Sequence, residues 1–371
     1  MRALVAACVL LVGCGSGTGG TPGVDAGDAD GASLDAGTNG DAGPVPDGSP
    51  NPDGGACVPY APPKCNAAPP DPGPKRGFRH TSSSITASLG FANHRGRDMF
   101  YVAGDTQWVI GKFAYGVLDD DIKDEDVDVW LLRDCGAQWE KLGMAVTTYD
   151  NMHATVEGVD DTGGRVYFTI PQNKALGVGR HRLRLVVGGD LSAAEMFIEV
   201  VPKTMPIFVS DVDGTLTTSE NAEFPALLTG NLPDAHPDAA AALRALASKG
   251  YRPFYVTARP EFLVGRTREF LDTNGFPPGL VHTTLTLTGA TGAAAATYKT
   301  GELAMIAARG LVPKWGFGNT ASDADAYDNG KIQPLDHRIF FQFTDTAHGG
   351  KRIESYTELL APFAALPSVC P

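Results

Sequence analysis

The chain has 371 residues, enough for two folded domains plus sequence that packs into neither. Acidic residues outnumber basic ones, 43 to 30, and the formal charge of -13 argues against nucleic acid as a partner, because phosphate backbones are held by basic surfaces. A phosphorylated small molecule or lipid stays open, since a bound cation can supply local positive charge.

Met1 and Arg2 precede an apolar run from Ala3 to Val12, too short to span a bilayer. Leu11, Val12, Gly13 and Cys14 resemble a bacterial lipobox, in which the leader is cut before the cysteine and the cysteine is lipidated. Residues 1–14 are therefore expected to be a lipoprotein signal, with Cys14 tying the exported body to the cell envelope, periplasmic or surface-facing. No later segment is apolar enough to cross a membrane. With Cys8 in the leader and Cys14 lipidated, Cys57, Cys65, Cys135 and Cys370 remain. Their even number and an oxidising compartment leave two disulfides open, with three connectivities, a Cys57–Cys65 loop being the simplest.

Residues 15–75 are rich in Gly, Ala, Asp and Pro, with Asp-Ala-Gly units at Asp25, Asp35 and Asp41. Such a segment buries too little to offset its ordering entropy and is expected to be a disordered acidic tether, spanning about 45 Å as a flexible coil. Residues 76–203 hold short runs starting at Ser84, Asp98, Val127, Val166, His181 and Met196, separated by turn residues. Their period-2 alternation predicts an antiparallel, Ig-like β-sandwich, with Trp130 in its core and the acidic stretch from Asp119 to Asp126 as a solvated loop.

Residues 204–371 alternate strand and helix. Apolar runs start at Ile207, Phe254, Lys314 and Arg338; helical patterns cover 237–249, 261–274 and 300–309, stopped by Gly250, Gly275 and Gly310. This predicts an α/β fold with a doubly wound, mostly parallel Rossmann-like sheet, whose ligands sit at the carboxyl ends of the strands.

Four polar clusters fall at those ends. Asp211 and Asp213, with Gly214 and Thr215, follow the first strand, and carboxylates at i and i+2 point the same way. Thr257, Ala258 and Arg259 follow the second; the threonine hydroxyl suits a phosphoryl oxygen or a helix N-cap. Lys299 stands just ahead of the helical pattern at Thr300. Gly318, Asn319 and Asp323 follow a later strand, with Asp325 two residues on.

This order resembles the haloacid dehalogenase superfamily of phosphatases. Asp213 to Thr217, Ala235-His236-Pro237, Thr257-Ala-Arg and the Phe317 to Tyr327 stretch look like the carboxy-terminal domain shared by lipins and Nir-type phosphatidylinositol-transfer proteins. The resemblance implies an aspartyl-phosphate mechanism, with Asp211 as nucleophile and Asp213 as general acid/base. Thr257 and Lys299 would bind the phosphoryl oxygens, with Gly214, Thr215, Arg259 and Asn319 in support. Mg²⁺ would be held by Asp211, Asp323 and the Asp213 carbonyl. Asp325 is expected to be structural. The short spacing between the clusters leaves no room for a large cap domain. An open site on an anchored protein suits phosphatidate or a related lipid phosphate; the alternatives are a soluble or protein phosphoester, or phosphatidate binding without turnover.

Overall fold

The computed structural model describes residues 61–218 and 232–369. The expected leader, the lipidated Cys14, Cys57, Cys370 and most of the acidic linker lie outside the described residues.

After helix α1 (Thr81–Leu89) come ten strands: β1 (Arg95–Gly96), β2 (Met99–Val102), β3 (Trp108–Lys112), β4 (Ala114–Tyr115), β5 (Asp120–Asp121), β6 (Asp126–Leu132), β7 (Trp139–Val146), β8 (Arg165–Thr169), β9 (Gly179–Val187) and β10 (Ala193–Val201). A five-stranded sheet, β2-β10-β9-β6-β7, lies against a three-stranded one, β1-β3-β8. Alternate residues of both sheets, among them Val109, Val127, Val129, Val166, Leu183 and Leu185, make one apolar core, as expected for strands with one face wet. The sandwich is not purely antiparallel: β10 pairs with β2 in parallel.

Four expectations for this region need correcting. The run at Ser84 forms helix α1, not a strand; Ile85 and Leu89, four residues apart, share a helix face as readily as they punctuate a strand. Trp130 is only half-buried and outside the core, with the Lys141 ammonium 5.9 Å above its ring. The acidic stretch does not simply face water: Asp119 pairs with buried Arg95, Asp121 with Lys112, and buried Glu125 accepts from the amides of Arg79 and His80. The expected Cys57–Cys65 loop is replaced by a Cys65–Cys135 disulfide, with Cα atoms 4.4 Å apart. That bond, together with Arg182 donating to the carbonyls of Cys65 and Ala67 and Trp139 donating to Ala68, pins part of the stretch expected to be tether.

The second region contains β11 (Ile207–Ser210), α2 (Ala239–Ala247), β12 (Arg252–Val256), α3 (Val264–Thr273), β13 (Leu280–His282), α4 (Gly292–Ala307), β14 (Pro313–Gly318), α5 (Ala321–Asn329), β15 (Arg338–Phe341), β16 (Lys351–Ile353) and α6 (Thr357–Ala365). Its six strands lie in the order β13-β12-β11-β14-β15-β16, all parallel. Both faces are covered, so the central strand is apolar throughout. Phe208 packs with Leu243, Leu246, Phe270 and Phe363 on one face, while Ile207 and Val209 meet Leu303, Ile306 and Tyr327 on the other. The second core also takes in Phe100, Val102 and Val201 from the sandwich, and the rings of Phe100 and Phe254 meet edge to face at 5.6 Å. Chain order reverses between β11 and β14, which makes their carboxyl ends the topological switch point where such sheets bind ligands.

Helix α4 starts eight residues before the expected Thr300, so Lys299 lies inside it. The alanine run at 293–296 is strong helix former, and its weak amphipathic pattern had hidden the first turns. No helix among the described residues is long and apolar enough to cross a membrane.

Candidate active site

β11 delivers Asp211 to the switch point. The Asp211 amide donates to Phe317 O at 2.9 Å, extending the β11–β14 ladder by one step, so the carboxylate leaves the sheet at its end. The chain then turns sharply through Gly214, whose φ of 70° suits glycine. The turn closes with the Gly214 amide donating to Thr217 Oγ1 at 2.9 Å, and Tyr356 Oη donates to Thr215 O at 2.8 Å from below. His236 packs against Phe341 with the rings tilted and their centres 4.0 Å apart, and places Nε2 3.3 Å from Gly214 O, so the Ala235-His236 element braces this turn.

Lys299, one side chain from α4, joins the two ends of the site. Its Nζ donates to Asp211 Oδ1 at 2.7 Å and to Asp323 Oδ1 at 2.6 Å. Asp323 is fully buried at the start of α5, where its Oδ2 accepts from Thr320 Oγ1 at 2.8 Å and from the amides of Asn319 and Thr320, a reciprocal capping box. Gly318 permits this approach: a Cβ there would come within 2.6 Å of the Asp323 carboxyl carbon. Thr215 Oγ1 lies 3.0 Å from Asp211 Oδ2 and 3.0 Å from Asn319 Oδ1, tying the first and last clusters directly.

Asp213 belongs to a second group. Arg259 forks onto it, with Nε 3.0 Å from both oxygens and an Nη 2.6 Å from Oδ1, and Thr257 Oγ1 donates to Oδ2 at 2.9 Å. The guanidinium is buried and braced by Thr267, while Asp213 stays partly open to solvent. In the resting structure the Thr257 hydroxyl and the Lys299 ammonium therefore serve carboxylates of the site itself. Asp325 faces away and meets His348 at 2.9 Å.

Three carboxylates face two cations here, leaving one negative charge over. Burial, reinforced by Asp323 and Asp213 and opposed by Lys299, pushes the Asp211 carboxyl up to about 7. Lys299, flanked by two acids, is held above the usual lysine range although burial opposes it. No local sequence pattern marks Tyr298, whose buried hydroxyl, one residue before Lys299, has no hydrogen-bond partner among the described residues, nor Glu261 and Glu302. A cleft of about 740 Å³ lies elsewhere, beside the start of β13, lined by Arg180, Phe197, Arg268 and Phe276 and touching none of the acids above.

Residues 92–200 match the family model for the PITM 1-3 β-sandwich domain, and residues 208–341 that for the PITM 1-3 LNS2 domain. Human membrane-associated phosphatidylinositol transfer protein 1 is 31% identical over 210 residues, covering 56% of this chain and 15% of that protein. Protein retinal degeneration B of Drosophila melanogaster is 29% identical over 210 residues, 56% of this chain and 15% of that one. Human membrane-associated phosphatidylinositol transfer protein 3 is 28% identical over 192 residues, 51% of this chain and 18% of that one. The chain thus spans less than a fifth of the length of these relatives. Along this chain the match to the PITM 1-3 β-sandwich model comes first and the match to the LNS2 model follows it directly.

Proposed function

We propose that this chain is a Mg²⁺-dependent phosphomonoester hydrolase of the haloacid dehalogenase type that acts on phosphatidate or a related lipid phosphate. The observation that carries the reading is the Lys299 ammonium bridging Asp211 and Asp323 at the switch point, with Asp213 two residues further on. An Asp211 oxygen would attack phosphorus in line as the bond to the leaving oxygen breaks, and Asp213 would hand that oxygen a proton. Asp213 would then take a proton from water, whose oxygen attacks the aspartyl-phosphate, releasing phosphate and restoring Asp211. Thr257 and Lys299 would turn from the acids to the phosphoryl oxygens as these arrive.

Among the described residues no three His, Cys, Asp or Glu side chains form a ready metal cage. Mg²⁺ does not need one: it is commonly held by one or two carboxylates with waters and substrate phosphate. Asp211 and Asp323 are hard oxygen donors, and the surplus negative charge beside them suits a divalent cation. When bound, the ion would neutralise charge on the transferred phosphoryl group. Lipid as the substrate class is supported by the LNS2 match and by the names of the membrane-associated relatives.

The test is phosphate release from phosphatidate vesicles with Mg²⁺ or EDTA, using wild type, Asp211→Asn and Asp213→Asn. A loss of roughly 10²-fold or more is expected for either variant. Near-normal turnover by Asp211→Asn would sink the mechanism. One observation favours a second reading, lipid-phosphate recognition without turnover: Arg259 holds both oxygens of Asp213 as acceptors. Vesicle binding with no phosphate release from wild type would select it.

A further inference from the structure

Glu261 stands two residues after Arg259 and points away from the site, into the sandwich. Its Oε1 accepts from Arg165 at 2.9 Å, and its Oε2 from Arg95 at 3.0 Å and Arg165 at 3.2 Å. The carboxylate and both guanidiniums are buried. Arg95 and Arg165 come from β1 and β8, the two outer strands of the three-stranded sheet, and both pair in register with Lys112 of β3 between them. Asp119 engages both Nη atoms of Arg95 and Asp121 takes Lys112, while Arg165 and the shared Nη2 of Arg95 are turned on Glu261.

Between Glu261 and Arg259 is only Pro260, whose ring fixes φ and stiffens the link. On the other side of that proline, Arg259 grips Asp213. The turn is held from below as well, with Thr284 donating to Arg259 O and the Glu261 amide to Thr286 O. A parallel tie reaches Lys299. Arg97, two residues after Arg95, donates from one Nη to both oxygens of Glu302, at 2.8 and 3.1 Å, and Glu302 lies one helical turn beyond Lys299 in α4. An exposed ion pair would carry little weight, but these are buried charges that hold one geometry or leave a group unpaired.

We infer that the β-sandwich is a working part of the candidate active site: Arg95 and Arg165 hold Glu261 as the positioning residue for the Thr257–Arg259 turn, and so set the orientation of Asp213. The inference rests on the reading of Asp211 and Asp213 as the reacting pair for its kinetic arm only.

The full chain is compared with Glu261→Gln and with Arg165→Lys, which keeps a charge but cannot fork. Hydrolysis of p-nitrophenyl phosphate with Mg²⁺ gives kcat and KM, and amide exchange is followed at Arg259, Glu261 and Thr284 against the β14 amides. Glu261→Gln is expected to lower kcat by about tenfold, because a misplaced acid/base costs rate more than binding, with KM within roughly twofold. Exchange should quicken at the Arg259 turn and stay unchanged in β14; Arg165→Lys should fall between wild type and Glu261→Gln. A purely structural role would quicken exchange throughout and reduce the active fraction without changing kcat per active molecule. Unchanged kcat with unchanged exchange at Arg259 in both variants would overturn the inference. If wild type hydrolyses nothing, the proposed reaction fails, and exchange alone decides the positioning role. If Glu261→Gln does not fold, Arg165→Lys carries the test.

Discussion

Replacing Glu302 by glutamine keeps its size and removes its charge, leaving the Arg97 guanidinium buried without a counterion. Burial alone would raise the Glu302 carboxyl, but Arg97 and His282 outweigh it and hold the group down at about 2, against 4.5 for a free glutamate. A shift of that size corresponds to about 3 kcal/mol of folding stability at neutral pH. Breaking a buried ion pair on one side costs a similar amount, roughly 3–5 kcal/mol. The sign follows from the depressed value: the carboxylate stabilises the fold above pH 4.5, and that contribution is lost as pH falls through about 2. Glu302→Gln should therefore unfold at distinctly lower urea at pH 7, and its deficit should shrink by about half or more by pH 3. Urea titrations followed by tryptophan fluorescence, with wild type and variant side by side, isolate this difference from the other titrating groups. A deficit below about 1 kcal/mol at pH 7, or one of the same size at pH 3, would refute the assignment.

Gly318→Ala places a methyl against the Asp323 carboxyl carbon, and relieving the clash should cost about 1–3 kcal/mol. A thermal midpoint equal to wild type would mean that β14 and α5 do not meet as described. Cys135→Ser opens a bridge between residues separated by 70 positions, and loop-closure entropy puts its loss at about 4 kcal/mol. Guanidinium titration under non-reducing conditions checks this; an unchanged midpoint would mean that the bridge does not form.

The switch point was legible because its signals are local. An apolar run fully buried on both faces must end where the polar residues begin, and Asp211, Asp213 and Gly214 stand at that end. Asp323 was legible for a related reason: a strand, a Gly-Asn-Thr turn and an acid at the third helical position make a capping box whatever else the acid does. The misses at Glu261, Glu302 and Cys65 share one cause, dependence on a partner far along the chain. Glu261 and Glu302 look like ordinary helix acids until the sandwich brings Arg95, Arg97 and Arg165 against them. Trp130 follows the alternation of its strand, but which face is inner is decided by Val129 and Leu131 on either side. Cys65 has no sequence signal that prefers Cys135 to a nearer cysteine.

The Cys65–Cys135 bridge also settles where mechanical load enters the fold. Cys135 closes the short turn after β6, and Arg182 of β9, its neighbour in the five-stranded sheet, grips the carbonyls beside Cys65. A pull arriving from upstream of Cys65 is therefore met by a covalent staple and two interior strands. The sandwich absorbs the tension first, and the parallel sheet feels it through the contacts that join the halves, among them the Arg–Glu pairs and the packing of Phe100 on Phe254.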